Sequence, residues 1–252
     1  TLIENGKGIK LECSCGGYSE TVILSAKDTV YNREEQPAEL KRSTTDSGIE
    51  PKLNPEIEYS KQNSEGEYEP IGVPKNAGTY KASITAGGKT ASIVYTIEKA
   101  EQPAPPKPNF AIGDDTKSLT VKQVQVSPIK DSTKPEYDES YDSKREYMLV
   151  YYDGNGVEQT IEWESVEDSI AVGTDALKFD LAYALTNYTV YARYSEGTNY
   201  KASSATKADG EYFYAGDVGL KVIDGEGINY IQKVASEDEG VVNGIQIEIS
   251  ID

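Results

Sequence analysis

The chain has 252 residues, which is long for one β-sandwich and suits two or three small domains. It carries 43 acidic residues against 25 basic ones, and the resulting net charge of −18 argues against nucleic acid or an anionic membrane surface as a partner. The absence of histidine excludes Ser-His-Asp and Cys-His nucleophilic sites and histidine-bound zinc or copper. No apolar run approaches the roughly 18 residues of a membrane span, and no signal peptide opens the chain, so we expect any targeting segment to have been trimmed.

The first predicted element is a β-hairpin over Gly8–Ala26 that turns at Gly16-Gly17. A two-residue loop of this kind sets a register in which apolar residues meet on one face, Ile9 with Leu24 and Leu11 with Val22. A lone hairpin is marginal in water. Residues 1–26 therefore either join the following sheet or are the remnant of an upstream module.

Cys13 and Cys15 fall on the same apolar side of this hairpin. Two thiolates without further cysteine or any histidine cannot complete a tetrahedral metal site. On one strand face their side chains would run parallel, and a disulfide would need local distortion. The pattern favours two free thiols that face the core over a redox or metal pair.

Residues 27–100 are predicted to form one β domain, because strands and turns alternate without a competing helical pattern. The candidate strands are Asp28–Tyr31, Pro37–Lys41, Ile57–Ser60, Tyr80–Ala86 and Ala91–Ile97. The last two flank Gly87-Gly88, a loop typical of type I′ or II′ turns. This turn sets three cross-strand pairs on one face: Ile84 with Ala91, Ala82 with Ile93 and Tyr80 with Tyr95.

Three short motifs in this domain carry a family resemblance: Asp28–Asn32 (DTVYN), Asn76–Tyr80 (NAGTY) and Val94–Ala100 (VYTIEKA). They resemble the MBG domain, which typically shows a "vYnG" start, a central "AGtY" and a closing "Y-x-I-x-K-A". That family is an immunoglobulin-like module of bacterial surface proteins, so the resemblance implies an immunoglobulin-like fold and an extracellular, cell-surface location. The chain departs from the pattern at Arg33, where glycine is usual, and in a long polar stretch, 43–54.

Residues 101–108 contain four prolines and are predicted to be a Pro-rich linker in an extended polyproline II conformation. Residues 109–208 follow as a second β module. Its candidate strands are Ser118–Val126, Arg145–Tyr152, Gln159–Trp163, Lys178–Leu181 and Tyr188–Tyr194. The loop Asp153–Gly156 is expected to join the second and third of them as a hairpin.

The segment from Glu146 to Trp163, followed by Phe179–Leu181 and Tyr188–Arg193, resembles the fibronectin type III modules of bacterial surface proteins. The resemblance implies a β-sandwich in which a tyrosine anchors the corner before the sixth strand. Tyr188 is the residue at that position. The whole chain is thus predicted to be all-β, with tandem immunoglobulin-like and fibronectin type III-like β-sandwich modules joined by a proline-rich linker.

Residues 209–252 are predicted to be a partial third β module, since some 45 residues seldom form an independent sandwich. Its candidate strands are Tyr212–Tyr214, Gly219–Ile223, Ile228–Val234 and Gly244–Asp252. The last run alternates isoleucine with polar residues throughout. We expect this piece to be the start of a longer domain.

No residue pattern in the chain indicates a catalytic, cofactor or metal site. Two acidic turns, Asp153–Gly156 and Asp224–Gly227, have calcium-like spacing but lack the distal glutamate of an EF-hand loop, and turn chemistry explains both. A run of carboxylates is expected to be a solvated face: Glu162, Glu164, Glu167 and Asp168. Four aromatic residues are candidates for stacking on a sugar: Tyr151, Trp163, Tyr212 and Tyr214. Core or cross-strand packing is favoured over stacking for the tyrosines, and because adjacent strand residues face opposite sides, each cluster can show only part of itself to one ligand.

The sequence therefore predicts a non-enzymatic, structural or adhesive segment of a bacterial cell-surface protein, a stalk or a set of interaction modules. Its expected partners are host or cell-wall glycans or proteins, with no cofactor and a monomeric chain. A carbohydrate-binding module is one alternative. The other is a set of accessory domains of a surface glycoside hydrolase whose catalytic domain is encoded elsewhere.

Overall fold

The structure, a computed structural model, describes side chains over residues 1–14, 16–45, 50–113 and 117–214, and the backbone of strands at 218–223, 228–233 and 246–251. Strands dominate these residues, and the helical elements among them are two 3-10 turns, Glu4–Gly6 and Pro128–Lys130. Neither turn has the length or the apolar character to cross a membrane. The predicted all-β class is confirmed.

The chain divides into two compact units. Unit 1 comprises Thr1–Gln102, Asp138–Asp142 and Gly197–Lys201, and unit 2 comprises Pro103–Tyr137, Ser143–Glu196 and Ala202–Asp252. Two short segments from the second half of the sequence therefore belong to unit 1.

Unit 1 is a sandwich of two sheets. Its strands are β1 (Leu2–Ile3), β2 (Gly8–Glu12), β3 (Ser19–Ser25), β4 (Thr29–Val30), β5 (Glu39–Thr44), β6 (Glu58–Gln62), β7 (Tyr68–Ile71), β8 (Gly78–Ala86) and β9 (Lys89–Glu98). One sheet has the order β4-β9-β8-β6-β7 and the other β1-β2-β3-β5, and β3 contacts both β8 and β9 across the interior. The buried side chains between the sheets include Ile9, Val22, Leu24, Tyr80, Ala82, Ile84 and Ile97.

The hairpin of β8 and β9 has the predicted register. The observed partners are Ile84 with Ala91, Ala82 with Ile93 and Tyr80 with Tyr95. Gly87 and Gly88 have φ of +55° and +69°. Two positive φ values in succession define a type I′ turn, which glycine adopts without the steric cost that a Cβ would bring.

The N-terminal hairpin has the predicted face but not the predicted register. Ile9 pairs with Val22, two residues away from the expected Leu24. The loop is longer than two residues, because β2 ends at Glu12 and the backbone N–H of Cys13 donates to Tyr18 at 2.9 Å. A shift of two keeps each side chain on its side. β3 also pairs with β5, so this hairpin joins the sheet that follows it.

The prediction that Cys13 is a free, core-facing thiol is wrong. Cys13 is exposed and disulfide-bonded, and Cys15 lies outside the described residues. The reason is the early end of β2: Cys13 lies in the loop, where the N–H of Gly16 donates to its carbonyl at 3.0 Å. The parallel side-chain directions of a strand therefore do not apply to it.

We expect Cys13 to stay unmodified when the chain is denatured in iodoacetamide without reductant. With reductant, peptide mass spectrometry should find it carbamidomethylated. Alkylation of Cys13 before reduction would contradict the disulfide.

Two local features of unit 1 differ from simple strand patterns. Strand β7 was not predicted, because Pro70 is a residue that usually interrupts strands. β7 lies at the edge of its sheet. At an edge, proline is tolerated because its missing N–H need not cost a hydrogen bond to a neighbouring strand. Arg33 has a φ of +73°. That left-handed conformation is the one glycine adopts most readily, and glycine is usual there in the family it resembles.

A buried carboxylate lies within unit 1. Asp138 is 8% exposed and its Oδ2 accepts hydrogen bonds from the hydroxyls of Tyr31 at 2.7 Å and Tyr200 at 2.8 Å. Its Oδ1 accepts from the backbone N–H of Ser140 at 2.9 Å and from the Ser140 hydroxyl at 2.7 Å. Burial raises the pKa of Asp138, but these hydrogen bonds outweigh that effect and hold the pKa below its ordinary value.

Asn199 extends this network to the NAGTY motif. Its Oδ1 accepts from the N–H of Ala77 at 2.9 Å, and its Nδ2 donates to Asn76 Oδ1 and Ser140 Oγ, each at 3.1 Å. The Tyr80 hydroxyl donates to the Asn76 carbonyl at 2.5 Å. We call Asp138, Tyr31, Tyr200, Ser140 and Asn199 the Asp138 network.

Unit 2 contains a second sandwich. Its strands are β10 (Phe110–Ile112), β11 (Ser118–Lys122), β12 (Arg145–Tyr152), β13 (Glu158–Val166), β14 (Asp175–Asp180), β15 (Thr186–Tyr194), β16 (Thr206–Lys207) and β17 (Tyr212–Tyr214). One sheet has the order β10-β11-β14, and the other β13-β12-β15-β16 with β17 also on β15. The first, second and fifth strands thus oppose the rest, as in a fibronectin type III-like sandwich. The core between the sheets includes Leu119, Val121, Tyr147, Leu149, Phe179, Tyr188 and Val190.

Arg145 is buried at one end of this core and is 2% exposed. Its guanidinium donates to the carbonyls of Val124 at 2.9 Å, Asp168 at 3.0 Å and Ile170 at 3.4 Å. The side chain of Gln123 lies between this guanidinium and the Tyr147 hydroxyl, and the donors of Arg145 favour the amide orientation that turns the Gln123 oxygen toward Arg145 Nε, at 3.2 Å. Four groups from the loops beside the core are therefore tied to one side chain.

The proline-rich segment carries no strand within unit 2. Pro105 and Pro108 are buried, and the Thr206 hydroxyl donates to the Pro106 carbonyl at 3.2 Å. The role of residues 101–108 as a linker stays a prediction.

Residues after Ala208 divide between two sheets. β17 pairs with β15, so Tyr212–Tyr214 extend the second sandwich beyond residue 208, the predicted end of the module. Strands β18 (Val218–Ile223), β19 (Ile228–Lys233) and β20 (Gln246–Ile251) form a separate sheet in the order β19-β18-β20.

Candidate functional site on the outer face of the second sandwich

The five-stranded sheet of unit 2 has one face on the core and one face in solvent. Along β12, Tyr147 and Leu149 are buried, whereas Glu146, Met148 and Val150 are partly exposed on the other side. The cross-strand partners continue this outer face onto neighbouring strands: Arg193 opposite Glu146, Tyr191 opposite Met148 and Thr189 opposite Val150.

The predicted stacking residues separate onto the two faces. Tyr214 is 8% exposed and lies in the core, and Tyr151 and Tyr212 pack against that core. Trp163 is half-buried, and the Arg193 guanidinium lies 4.2 Å from the centre of its ring. A stacking role for these four residues stays a prediction, and the ring of Trp163 already has a guanidinium on one side.

Arg193 also pairs with Glu146, because its Nε donates to Glu146 Oε2 at 2.8 Å. The ion pair and the cation–π contact together hold the guanidinium between a carboxylate and an indole. In this part of the outer face, the charges of Arg193 and Glu146 are therefore paired with each other.

Three tyrosine rings stack from the core to the surface at the corner before β15. Tyr151 lies 5.0 Å from Tyr188 and 5.2 Å from Tyr183, with interplanar angles of 28° and 25°. Tyr188 is fully buried, and its hydroxyl donates to the Tyr183 carbonyl and accepts from the Tyr183 N–H, both at 2.9 Å. Burial raises the pKa of the Tyr188 hydroxyl. The tyrosine corner that the resemblance placed at Tyr188 is present.

We expect Tyr188→Phe to lower the free energy of unfolding of unit 2 by about 1–2 kcal/mol, because both backbone groups of Tyr183 lose their partner. Urea unfolding followed by the fluorescence of Trp163, the single tryptophan, measures the change. Tyr183→Phe is the matched control. It removes a hydroxyl from the same stack and should cost under about 0.5 kcal/mol, and an equal cost for the two variants would contradict the corner's role.

A hollow of about 300 Å³ opens on the outer face where β12, β13, β15 and β17 meet. Apolar side chains at its rim are Tyr152, Leu185 and Phe213, which are 49%, 51% and 53% exposed. Its remaining lining is mostly polar: Val150, Glu158, Thr186, Asn187, Thr189, Tyr191, Lys207 and Glu211. We call it the outer-face hollow.

The charges of the outer-face hollow are two carboxylates and one ammonium. Lys207 Nζ lies 2.6 Å from Glu211 Oε1, and this contact raises the pKa of Lys207 and lowers that of Glu211. The Tyr152 hydroxyl donates to Glu158 Oε2 at 3.2 Å, which raises the pKa of Tyr152. Glu158 thus has a neutral partner, and the hollow carries a net negative charge.

Leu185 is held at the rim in a conformation that a leucine rarely adopts, with a φ of +57°. Its N–H donates to the Tyr214 carbonyl at 2.6 Å, and the hydroxyl of the next residue, Thr186, accepts from the N–H of Tyr152 at 3.1 Å. A left-handed non-glycine residue is costly and persists only where its surroundings fix it. Its side chain is presented to solvent.

From the two aromatic clusters Tyr151-Tyr152 and Tyr212–Tyr214, the sequence analysis chose Tyr151, Tyr212 and Tyr214 rather than Tyr152 and Phe213, and it did not mark Leu185. Alternation along the strand was the available signal, because a core-facing Tyr151 turns Tyr152 outward and a core-facing Tyr214 does the same for Phe213. Leu185 carried no signal, since a left-handed leucine has no local sequence signature.

The acidic residues named in the sequence analysis make contacts that are typical of turns and of exposed surfaces. Asp153 Oδ1 accepts from the N–H groups of Asn155 at 2.9 Å and Val157 at 3.0 Å, which lowers the pKa of Asp153. In the acidic run all four residues are exposed, and Asp168 pairs with Lys130. The turn Asp224–Gly227 lies outside the described residues. Among the described residues, no three acidic or cysteine side chains converge as metal ligands would.

Neither a protein-family profile nor a curated protein matches the sequence. Solved structures that align with it include the chicken interferon gamma receptor alpha chain, at 12% identity over 76% of this chain and 96% of that chain, with a TM-score of 0.30. A segment of two fibronectin type III domains from chicken tenascin aligns at 14% identity over 76% of this chain and 97% of that chain, also with a TM-score of 0.30. We therefore assign the fold from the strand order of the chain itself.

Proposed function

We propose that the chain is a non-catalytic structural and adhesive segment of a bacterial cell-surface protein, and that unit 2 supplies a binding face. The observation that carries the proposal is the outer-face hollow, where Tyr152, Leu185 and Phe213 expose apolar surface around polar groups. Concave sites that place apolar side chains beside a few polar groups are typical of ligand binding.

Three further features support the extracellular part of the proposal. The motifs DTVYN, NAGTY and VYTIEKA resemble modules of bacterial surface proteins. The net charge of −18 suits a solvated surface that does not bind nucleic acid. The disulfide at Cys13 is typical of proteins that fold in an oxidising compartment.

The experiment is a binding screen of the whole chain against arrayed cell-wall and host glycans and against immobilised host matrix proteins. Reducing-sugar release from the same glycans is measured in parallel. We expect reproducible binding to at least one class and no turnover. Turnover above that of a heat-denatured sample would reject the non-catalytic assignment, and a screen without any binding would reject the adhesive one.

A further inference from the structure

We propose that the outer-face hollow is a binding site for a neutral saccharide of about one or two sugar units. The inference rests on the proposed adhesive function and names the chemical class of its ligand. Its apolar residues are Tyr152, Leu185 and Phe213 instead of the four stacking residues predicted from the sequence.

The rim of the hollow offers the apolar surfaces that a sugar ring needs. Two aromatic side chains, Tyr152 and Phe213, and the aliphatic Leu185 line the same opening, and each is about half exposed. A pyranose presents a face of C–H groups that packs on such surfaces, and removing them from water is favourable.

The lining of the hollow also offers the polar partners of hydroxyl groups. Glu158 and Glu211 are acceptors, Lys207 is a donor, and the Asn187 amide can do both. Within the part of the chain that the structure describes, the side chain of Asn187 makes no hydrogen bond, and it is exposed on β15. Adjacent donors and acceptors match a polyhydroxyl ligand, whose hydroxyls both donate and accept.

The charge of the hollow decides between neutral and acidic glycans. Lys207 is engaged by Glu211, and among the described residues no cation is a hydrogen-bond partner of Glu158, so an incoming carboxylate or sulfate meets net negative charge. The −18 charge of the chain adds to that repulsion. A neutral sugar has no such penalty.

The size and rigidity of the hollow set the scale of the ligand. A volume of about 300 Å³ is at the small end of the roughly 300–1,000 Å³ of ligand sites, which fits one or two sugar rings. Leu185 is fixed by the hydrogen bond from its own N–H to Tyr214. A rim that is already ordered loses little conformational entropy when a ligand binds.

The test is amide chemical-shift mapping of the whole chain titrated with neutral disaccharides: maltose, cellobiose, lactose, mannobiose and chitobiose. We expect at least one to shift residues of β12, β15 and β17 around the hollow, with a Kd on the order of 0.1–1 mM. Phe213→Ala should weaken that binding about tenfold, because one stacking surface is lost. Phe213→Tyr keeps the ring and should bind within about twofold of the original chain.

Val157→Ala is the control for loss of exposed apolar surface. Val157 is as exposed as Phe213 but lies in the adjacent hairpin loop outside the hollow, so this variant should bind normally. Each variant is checked for unchanged amide dispersion before titration.

Three outcomes of the saccharide titrations would overturn the inference. They are no shift with any neutral disaccharide, shifts only with sialyllactose or a hyaluronan tetrasaccharide, and shifts that map to Trp163 instead of the hollow. Binding only to an octapeptide of alternating lysine and leucine would also overturn the saccharide class, while the adhesive function would stand. Hydrolysis of a disaccharide would instead reject the proposed function.

Discussion

Replacing Asp138 by alanine is expected to lower the free energy of unfolding of unit 1 by about 3–5 kcal/mol. The substitution removes the shared acceptor of two buried phenols, Tyr31 and Tyr200. Hydrogen bonds to a charged acceptor contribute about 1.5–3 kcal/mol each, and the substitution removes one from each phenol, although the Tyr31 hydroxyl keeps Ser140 Oγ at 2.9 Å. Hydrogen-exchange mass spectrometry of peptides from β8 and β9 measures the loss of protection in the sheets of unit 1.

The matched control is Asp142→Ala in the same short segment. Asp142 accepts from the Thr198 N–H at 2.9 Å and from its hydroxyl at 2.6 Å, but it is exposed. Water can replace the lost acceptor, so we expect a cost under about 1 kcal/mol. Equal costs for the two variants would show that burial is not the source of the effect.

The Asp138 network also predicts how the stability of unit 1 depends on pH. The pKa of Asp138 is lowered in the folded chain, so its contribution is present above the unfolded pKa of about 3.9 and is lost as the pH falls through the folded value. Burial raises the pKa of Tyr200, so the stability from its neutral phenol is present below the unfolded pKa of about 10 and declines above it. The acid-side decline should be shallower in Asp138→Asn.

The two glycine hairpins show what local sequence can predict. In β8–β9 the turn and the alternation agree, and the register follows from Gly87-Gly88 alone. In β2–β3 a similar Gly16-Gly17 pair lies inside a longer loop that begins at the disulfide-bonded Cys13. Alternation still predicted the buried face, because a shift of two residues preserves it, but the partners were wrong.

The buried polar networks could not be predicted. Asp138 and Tyr31 are 107 positions apart in the sequence, and neither has a local pattern that marks it as a buried partner. Arg145 is a second example. The sequence correctly predicted the strand that begins at Arg145, but it did not indicate that this side chain is buried. Such hydrogen-bond partners can be identified only in the folded structure, where residues that are distant in the sequence come into contact.

None of the four stacking residues predicted from the sequence lines the candidate site. Tyrosine-rich strands indicated stacking surfaces, and the structure turns Tyr151 and Tyr214 inward and Tyr152 and Phe213 outward. Because adjacent residues of a strand face opposite sides, only one of Tyr151 and Tyr152, and only one of Phe213 and Tyr214, can face solvent. Which member faces the core depends on the strand's position in the sandwich, and the local sequence does not contain that information.

Replacing Arg145 by methionine is expected to lower the free energy of unfolding of unit 2 by about 3–5 kcal/mol, since the carbonyls of Val124, Asp168 and Ile170 lose their donor in or beside the core. Methionine fills much of the same volume, so loss of hydrogen bonds rather than a cavity is the main change. Urea unfolding followed by far-UV circular dichroism and by Trp163 fluorescence gives the midpoint and slope.

Two further variants identify which property of Arg145 matters. Arg193→Met removes a partly exposed guanidinium that contacts Glu146 and Trp163, and by circular dichroism it should cost about 1 kcal/mol or less. Arg145→Lys keeps the positive charge but replaces a planar fork with a single ammonium that cannot reach all three carbonyls. We therefore expect lysine to restore less than half of the lost stability. Full restoration by lysine would mean that charge, and not the spread of the guanidinium donors, holds this end of the sandwich together.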